Sequence, residues 1–417
     1  MQNFIIRGGR PLKGTLDIHG AKNSVLPLVS AAILLNGKSV LHNCPELSDV
    51  TAALEILKSL GLEYIKQGSD ITVFSKKPDN CLIPDELMRK MRSSVMFLGS
   101  ILGRTGKAVI STPGGCMLGP RPIDIHISAL KKLGAKVTEN HGLLEFEAEN
   151  GLVGTDIFLD FPSVGATENI ILASALAKGT TTIHNAAREP EIKDLTDFLI
   201  SAGARISGGG TDTIVITGVD SLGSTEHTVI PDRIEAATYM AAAAATGGSI
   251  TLNRVNPSCL TSVNEALKKA GCEIISDDNT ITVIAPPRLK AVKSVETRVY
   301  PGFPTDAGPL LISALSTACG TSVFNETIFE NRFVFIDELS RFGAKINTYG
   351  TVAVIDGVEN IWSAECNCTD LRGGAALVIA ALKADGISKI GNICHIKRGY
   401  EDMPENLRRL GAEIKEV

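Results

Sequence analysis

The sequence predicts an α/β protein built from six copies of one βαβ-type unit, grouped as two domains of three. Three observations carry this. One glycine phrase recurs six times at an even period. A second phrase recurs between its copies. The composition is that of a large globular chain.

The first phrase is a leucine, three residues, a glycine, a small or apolar residue, and then strand-like alternation. It stands at Leu57–Gly61, Leu130–Gly134, Leu199–Gly203, Leu267–Gly271, Leu339–Gly343 and Leu407–Gly411, with successive glycines 68 to 73 residues apart. A fixed period means repeated structural units. This period exceeds that of the usual solenoid repeats, so each copy reads as a small α/β unit. A glycine just past a helix closes it in the left-handed conformation, so each phrase reads as a helix end.

The stretch after each glycine reads as a hairpin. Lys136–Glu139 turns through Asn140, His141 and Gly142 and returns as Leu143–Phe146. Arg205-Ile206 turns through Gly208, Gly209 and Gly210 into Ile214–Ile216, and Lys345–Asn347 turns at Gly350 into Val352–Val354. Alternation around Gly and Asn is the hairpin signal.

The second phrase is an Ala/Leu-rich helix ending in glycine, followed by a short strand that closes on asparagine. It runs Gly37 to Asn43, Gly179 to Asn185, Gly248 to Asn253, Gly320 to Asn325 and Gly386 to Asn392. The remaining copy starts at Gly106 and departs into Ser111-Thr112-Pro113-Gly114-Gly115. Repeated units break their rule where function is inserted. Each unit alone buries too little to be a domain, so two groups of three is the natural division. The Ala-rich helix Ala236 to Ala245 reads as core.

The chain has 417 residues, 44% of them hydrophobic and 21% charged, with a net charge of −5. That is enough for a large buried core in two or three domains. No bulk positive field recruits nucleic acid or an anionic membrane, so anionic ligands need local basic clusters. The opening residues Met-Gln-Asn-Phe-Ile-Ile-Arg lack a signal-peptide core, and the apolar run Val25 to Leu35 is too short to span a bilayer and holds Pro27. Nine cysteines without paired spacing read as reduced thiols of a cytoplasmic protein. Cys366 and Cys368 form the one close pair and read as structural. No metal motif, phosphate loop or dinucleotide fingerprint is present, so no cofactor is expected. His126 lies near the Cys116 segment and His395 near Arg398; both read as packed or hydrogen-bonded.

Four clusters stand out from the repeat. Gly20-Ala21-Lys22-Asn23 leads into an apolar helix. Lys22 there is either a point charge for a phosphate or an ordinary exposed lysine. Pro113-Gly114-Gly115-Cys116 continues to Gly119-Pro120-Arg121-Pro122-Ile123-Asp124. Cys116 in that glycine-dense stretch, near Arg121, is either a reactive thiol or a small buried hydrophobe. Gly114 and Gly119 could hinge a lid. Pro301-Gly302-Phe303-Pro304-Thr305-Asp306 places Asp306 in a rigid non-helical loop. It reads as a general base or hydroxyl-orienting group, or as a helix cap. Finally Arg92, Arg121, Arg332, Arg372 and Arg398 sit in loops between elements. Each alone reads as a surface ion pair. Together with Lys22 they suggest a substrate bearing a carboxylate and a phosphate.

With these residues in view the chain resembles the UDP-N-acetylglucosamine 1-carboxyvinyltransferases of the enolpyruvyl transferase family. The resemblance rests on the sixfold unit, Lys22-Asn23, the Cys116 loop and Ser163-Val164-Gly165-Ala166-Thr167-Glu168-Asn169. It rests further on Ala187-Arg188-Glu189-Pro190-Glu191, Asp232-Arg233-Ile234-Glu235, the Asp306 motif, Glu330-Asn331-Arg332-Phe333 and Arg398-Gly399-Tyr400-Glu401. It spans essentially the whole chain. It implies two inside-out α/β barrels, one over residues 22–229 and one over 1–21 plus 230–417, with the site in the cleft between. It implies transfer of the enolpyruvyl group of phosphoenolpyruvate to UDP-N-acetylglucosamine, for peptidoglycan precursors, with small-molecule partners and no required oligomer.

The resemblance also assigns roles. Lys22, Arg121 and Arg398 would hold the phosphate, and Arg332 and Arg372 the carboxylate, of phosphoenolpyruvate. Asn23, Asp306 and Ile328 would meet the sugar. Arg92, the segment Arg121, Pro122, Ile123, Asp124 and Ile125, and Ser163, Val164 and Gly165 would meet the nucleotide; Asp370 joins the substrate-binding set. Asp306 would assist loss of the sugar hydroxyl proton, and Cys116 would donate a proton or form an adduct. Phe161 stands where some members carry a lysine, and Ala307-Gly308-Pro309 also departs from the family pattern. Two rival functions are a 5-enolpyruvylshikimate-3-phosphate synthase and a non-catalytic UDP-sugar-binding paralogue.

Overall fold

A computed structural model describes residues 2–111 and 123–417. The expected loop residues Cys116, Arg121 and Pro122, and the hinge glycines Gly114 and Gly119, therefore lie outside the described residues.

The helix-ending glycines set the architecture. Gly61, Gly134, Gly203, Gly271, Gly343 and Gly411 all have φ between +87° and +105°. That region favours a residue without Cβ. Each follows a helix, and the first five precede a hairpin. Lys136–Asn140 pairs antiparallel with Leu143–Glu147, Arg205–Ser207 with Thr213–Thr217, and Lys345–Tyr349 with Val352–Asp356. The second phrase needs one correction. In its fourth copy the left-handed glycine is Gly247, which ends the helix Arg233–Thr246, and not Gly248.

The described residues divide into two compact units, one of residues 20–111 and 123–230 and the other of residues 2–19 and 231–417. In the unit of residues 20–230 the sheets are built on the strands Gly37–His42, Lys107–Ser111 and Thr180–His184. In the other they are built on Ser249–Asn253, Thr321–Asn325 and Ile387–Gly391. Among the described residues five of the six sheets have four strands. In five of the sheets the returning strand of the hairpin lies antiparallel to the founding strand. In the sixth, Phe4–Arg7 takes that place, antiparallel to both Ile387–Gly391 and Glu413–Glu416. Lys13–Asp17 pairs in parallel with Ser249–Asn253. These two strands explain why the first residues pack with the last. Among the described residues the three-stranded sheet has a single bridge, Leu82 to Val109, where the others have a parallel strand.

Helices sit inside the sheets. In one unit Arg233–Thr246, Gly308–Leu315 and Leu371–Lys383 pack on one another. Every residue of Arg233–Thr246 except Arg233 is buried. Its run of alanines lets neighbours approach closely. In the other unit Phe97–Thr105 packs against Lys22–Ala31 and Val164–Ser174. Each unit holds one continuous apolar core. The fold is therefore mixed α/β, with three repeated units per core.

Candidate active site

In the unit of residues 231–417 the candidates converge on Asp306. It is the middle residue of the 3-10 turn Thr305–Ala307, which feeds the helix Gly308–Leu315. The expected non-helical loop is thus a helical turn. Asp306 does not cap that helix, whose N-terminal cap shows no side-chain bond. Arg332 Nη2 donates to Asp306 Oδ1 at 3.0 Å, and Arg372 Nε donates to Oδ2 at 3.3 Å. The reading of these two arginines as surface ion pairs fails. Their side chains are 2% and 3% exposed, while Asp306 is 30% exposed. Burying a guanidinium without an anion is prohibitive, so the carboxylate is what makes their positions tolerable.

Neighbours fix each partner. Arg332 Nε and Nη2 also donate to the Thr305 carbonyl, at 3.2 and 3.0 Å. Asp370 caps the helix Leu371–Lys383, accepting from the backbone N–H groups of Arg372 and Gly373 at 3.0 Å each. Its Oδ1 lies 3.9 Å from Arg332 Nη1. The Arg372 guanidinium lies over the Tyr400 ring at 5.2 Å. Burial works against the Arg372 charge, but Tyr400, Asp306 and Asp232 outweigh it and hold the group protonated. Its Nη1 is buried with no hydrogen-bond partner among the described residues. An orphaned guanidinium N–H next to a half-open carboxylate suits an incoming carboxylate ligand.

Arg398 ends the 3-10 helix Ile393–Arg398, which packs on Leu371–Lys383, and is half-buried. Gly399 permits that packing: a Cβ there would stand 2.7 Å from Leu371 Cδ2. Ile328 is placed by Glu326, a residue the sequence reading missed. The buried Glu326 carboxylate accepts from Thr297 Oγ1 at 3.0 Å, Ile328 N at 2.8 Å, Phe329 N at 3.1 Å and Thr305 Oγ1 at 2.9 Å. It ties the Ile328 turn to the residue before Asp306. Glu326 falls outside every motif, so no sequence signal pointed to it.

In the unit of residues 20–230, Lys22 begins the helix Lys22–Ala31. It is buried, which overturns the exposed-lysine alternative, and its Nζ lies 2.8 Å from Asp49 Oδ2. Asp49, in the first turn of the helix Ser48–Ser59, is the second missed residue. Asn23 follows Lys22 and is half-buried. Pro27 removes the N–H that would bond the Asn23 carbonyl within the helix.

Ser163 caps the helix Val164–Ser174, accepting from Ala166 N at 3.4 Å. Gly165 lies against His126, where a Cβ would meet the ring Cε1 at 3.2 Å. Asn169 Oδ1 accepts from Gly99 N at 2.6 Å. Its Nδ2 donates to the Val95 carbonyl at 3.0 Å and to His126 Nδ1 at 2.8 Å. Those bonds place the imidazole proton on Nε2. Burial first, and then Arg92, depress the His126 pKa to about 4, so the ring is neutral. Arg92 opens the 3-10 helix Arg92–Met96. Ile123 is buried and caps the helix Asp124–Lys132; Asp124 is exposed and Ile125 half-buried. Phe161 is 42% exposed, and its carbonyl accepts from Ser163 N at 2.7 Å. Burial pushes the Cys366 thiol up to about 12 and the Cys368 thiol higher still, in keeping with structural roles.

Comparisons with known proteins place this arrangement. The family model for EPSP synthase (3-phosphoshikimate 1-carboxyvinyltransferase) matches residues 6–407. UDP-N-acetylglucosamine 1-carboxyvinyltransferase 2 of Caldanaerobacter subterraneus subsp. tengcongensis is 49% identical over 417 residues, the whole of both chains. UDP-N-acetylglucosamine 1-carboxyvinyltransferase 1 of Symbiobacterium thermophilum is 47% identical over 421 residues, covering 100% of this chain and 95% of that one. Among solved structures, the enolpyruvyl transferase NikO from Streptomyces tendae superposes with a TM-score of 0.88 at 26% identity, covering 100% and 99% of the two chains. EPSP synthase from Acinetobacter baumannii superposes with a TM-score of 0.74 at 22% identity over the whole of both chains, a likeness of fold alone.

Proposed function

We infer that this chain, which belongs to the UDP-N-acetylglucosamine 1-carboxyvinyltransferases of the enolpyruvyl transferase family, transfers the enolpyruvyl group of phosphoenolpyruvate to the 3′-hydroxyl of UDP-N-acetylglucosamine. The observation that best supports this reading is the buried Arg332–Asp306–Arg372 set with its orphaned Arg372 Nη1. Two fixed guanidiniums can stabilise a carboxylate without reorganising. The half-open Asp306 can take a proton from a hydroxyl.

In this reading Arg332 and Arg372 hold the phosphoenolpyruvate carboxylate, with Asp370 fixing the Arg372 backbone. Lys22, Arg121 and Arg398 hold its phosphate. Asn23, Asp306 and Ile328 meet the sugar. Arg92, the residues Arg121 to Ile125, and Ser163, Val164 and Gly165 meet the nucleotide. Asp306 takes the proton of the 3′-hydroxyl as that oxygen bonds to C2 of phosphoenolpyruvate. The vinyl C3 gains a proton, for which Cys116 is the candidate donor. The tetrahedral ketal then loses a C3 proton as the C2–O bond to phosphate breaks, and the vinyl ether and phosphate are released. No electrons are gained or lost in the sum. The step lies at the start of peptidoglycan precursor synthesis, in the cytoplasm.

The test is phosphate release from phosphoenolpyruvate by the purified protein. Release that requires UDP-N-acetylglucosamine and fails with shikimate 3-phosphate supports the reading. The reverse preference makes the chain a shikimate-pathway transferase. Release with neither acceptor, with both ligands bound, makes it a binding paralogue.

A further inference from the structure

One buried polar chain stands apart from the residues assigned to substrate. Asp194, on the helix Pro190–Ser201, has a side chain only 3% exposed. Its Oδ2 accepts a hydrogen bond from the Ser24 hydroxyl, and its Oδ1 accepts from His227 Nε2 at 2.8 Å. Ser24 is fully buried. His227, on the strand Thr225–Thr228, is held edge-on by the Phe198 ring at 5.7 Å. That strand pairs in parallel with Gly37–His42, so the ring is fixed from both the sheet and the helix. A carboxylate is rarely buried this deeply unless its bonds do something for the structure or the site.

Ser24 lies two residues after Lys22, within the first turn of the helix Lys22–Ala31. Successive helical residues are set 100° apart, so Lys22 and Ser24 face away from each other with Asn23 between. Asp49 takes Lys22 on one side and Asp194 takes Ser24 on the other. Two buried carboxylates, from two different helices, thus grip one turn.

We propose that Asp194, held by His227, is a positioning residue that sets the rotation of the Lys22–Asn23 turn through Ser24. The proposal rests on the reading of Lys22 as a phosphate ligand. Rotating that turn moves the lysine ammonium away from the phosphoenolpyruvate phosphate while leaving the nucleotide contacts in place. Asn23 turns with the lysine, but it is one of many contacts proposed for UDP-N-acetylglucosamine, so the loss falls more heavily on phosphoenolpyruvate binding than on UDP-N-acetylglucosamine binding.

The experiment compares Asp194→Ala, Asp194→Asn and Ser24→Ala with the parent. It measures the dissociation constant for each substrate, kcat, and amide hydrogen exchange over residues 22–28. Asp194→Ala and Ser24→Ala weaken phosphoenolpyruvate binding roughly tenfold, the scale of one lost charge-assisted hydrogen bond. UDP-N-acetylglucosamine binding weakens by no more than about threefold, since all its proposed contacts except Asn23 lie on other elements. Asp194→Asn keeps an acceptor for Ser24 and a donor for the other His227 tautomer, and restores binding to within about threefold. Exchange in the first turn quickens in both alanine variants and not in Asp194→Asn. Equal losses in Asp194→Ala and Asp194→Asn, or equal weakening of both substrates, overturn the proposal. So does unchanged exchange in Ser24→Ala. If the parent releases no phosphate, the reading of function fails, and the exchange measurement still decides whether Asp194 sets the turn.

Discussion

In the proposed reaction Asp306 is the residue on which the chemistry turns, and its two arginines give it a double constraint. They hold its carboxylate in place, and in the proposed reaction they serve the substrate carboxylate as well. Replacing Asp306 by Asn removes the proton acceptor and releases both guanidiniums towards substrate. The expected fall in kcat is on the order of 100-fold. The phosphoenolpyruvate KM should stay level or fall, which steady-state kinetics would read. A second residue-scale prediction concerns His126. Its folded pKa of about 4 lies below the 6.5 of an unfolded histidine. Between these values the unfolded chain binds the extra proton, so stability is present above pH 6.5 and is lost as pH falls towards 4. The full window is worth on the order of 3 kcal/mol. In His126→Asn, which keeps an acceptor for Asn169, urea titrations across that window should show a shallower pH slope than the parent. At this scale the sequence was legible only in part. Lys22 and Asp306 stand in recognisable motifs. Asp49, which buries Lys22, lies in the next helix with no spacing that announces the pair. Glu326 likewise acts through the fold and not through a motif.

The repeated element is where the sequence speaks most clearly. The leucine-to-glycine phrase predicts a helix end and a hairpin, because only a residue without Cβ adopts the left-handed turn at little strain. All six glycines take it. Gly134 tests the point cleanly. Its φ is +98° and nothing lies within 4 Å of a Cβ there, so Gly134→Ala adds backbone strain without a clash. The expected loss is about 1–2 kcal/mol, read as a lower midpoint in urea with an unchanged slope. Activity of the folded fraction should not change. The second phrase was less legible. Asn43, Asn185 and Asn392 turn left-handed as their repeats suggest, but in the fourth copy Arg254 takes that place instead of Asn253. Arg254 directly follows the strand Ser249–Asn253, and no local sequence signal marks an arginine for that conformation.

At the scale of the molecule, periodicity gave six units, and the grouping into threes came from the need to bury a core. The strands Phe4–Arg7 and Lys13–Asp17 complete sheets founded more than two hundred residues later, a closure that no local pattern foretells. One unit joins residues from both ends of the chain, and the described residues of the other all lie between 20 and 230. The unit of residues 20–230 has its own apolar core. A fragment of residues 20–230 should therefore fold alone, as domains with a private core do. A cooperative thermal transition followed by circular dichroism would bear this out. A gradual, non-cooperative loss of signal would mean that the second unit is needed to stabilise the first.

The proposed function stands or falls on the identity of the acceptor. Mass spectrometry reads it directly, from the products formed when phosphoenolpyruvate, UDP-N-acetylglucosamine and shikimate 3-phosphate are mixed in equal amounts with the protein. The expected product is the enolpyruvyl ether of UDP-N-acetylglucosamine with matching phosphate, and no enolpyruvyl shikimate. Enolpyruvyl shikimate 3-phosphate as the main product, or no enolpyruvyl ether at all, would contradict the proposed reaction.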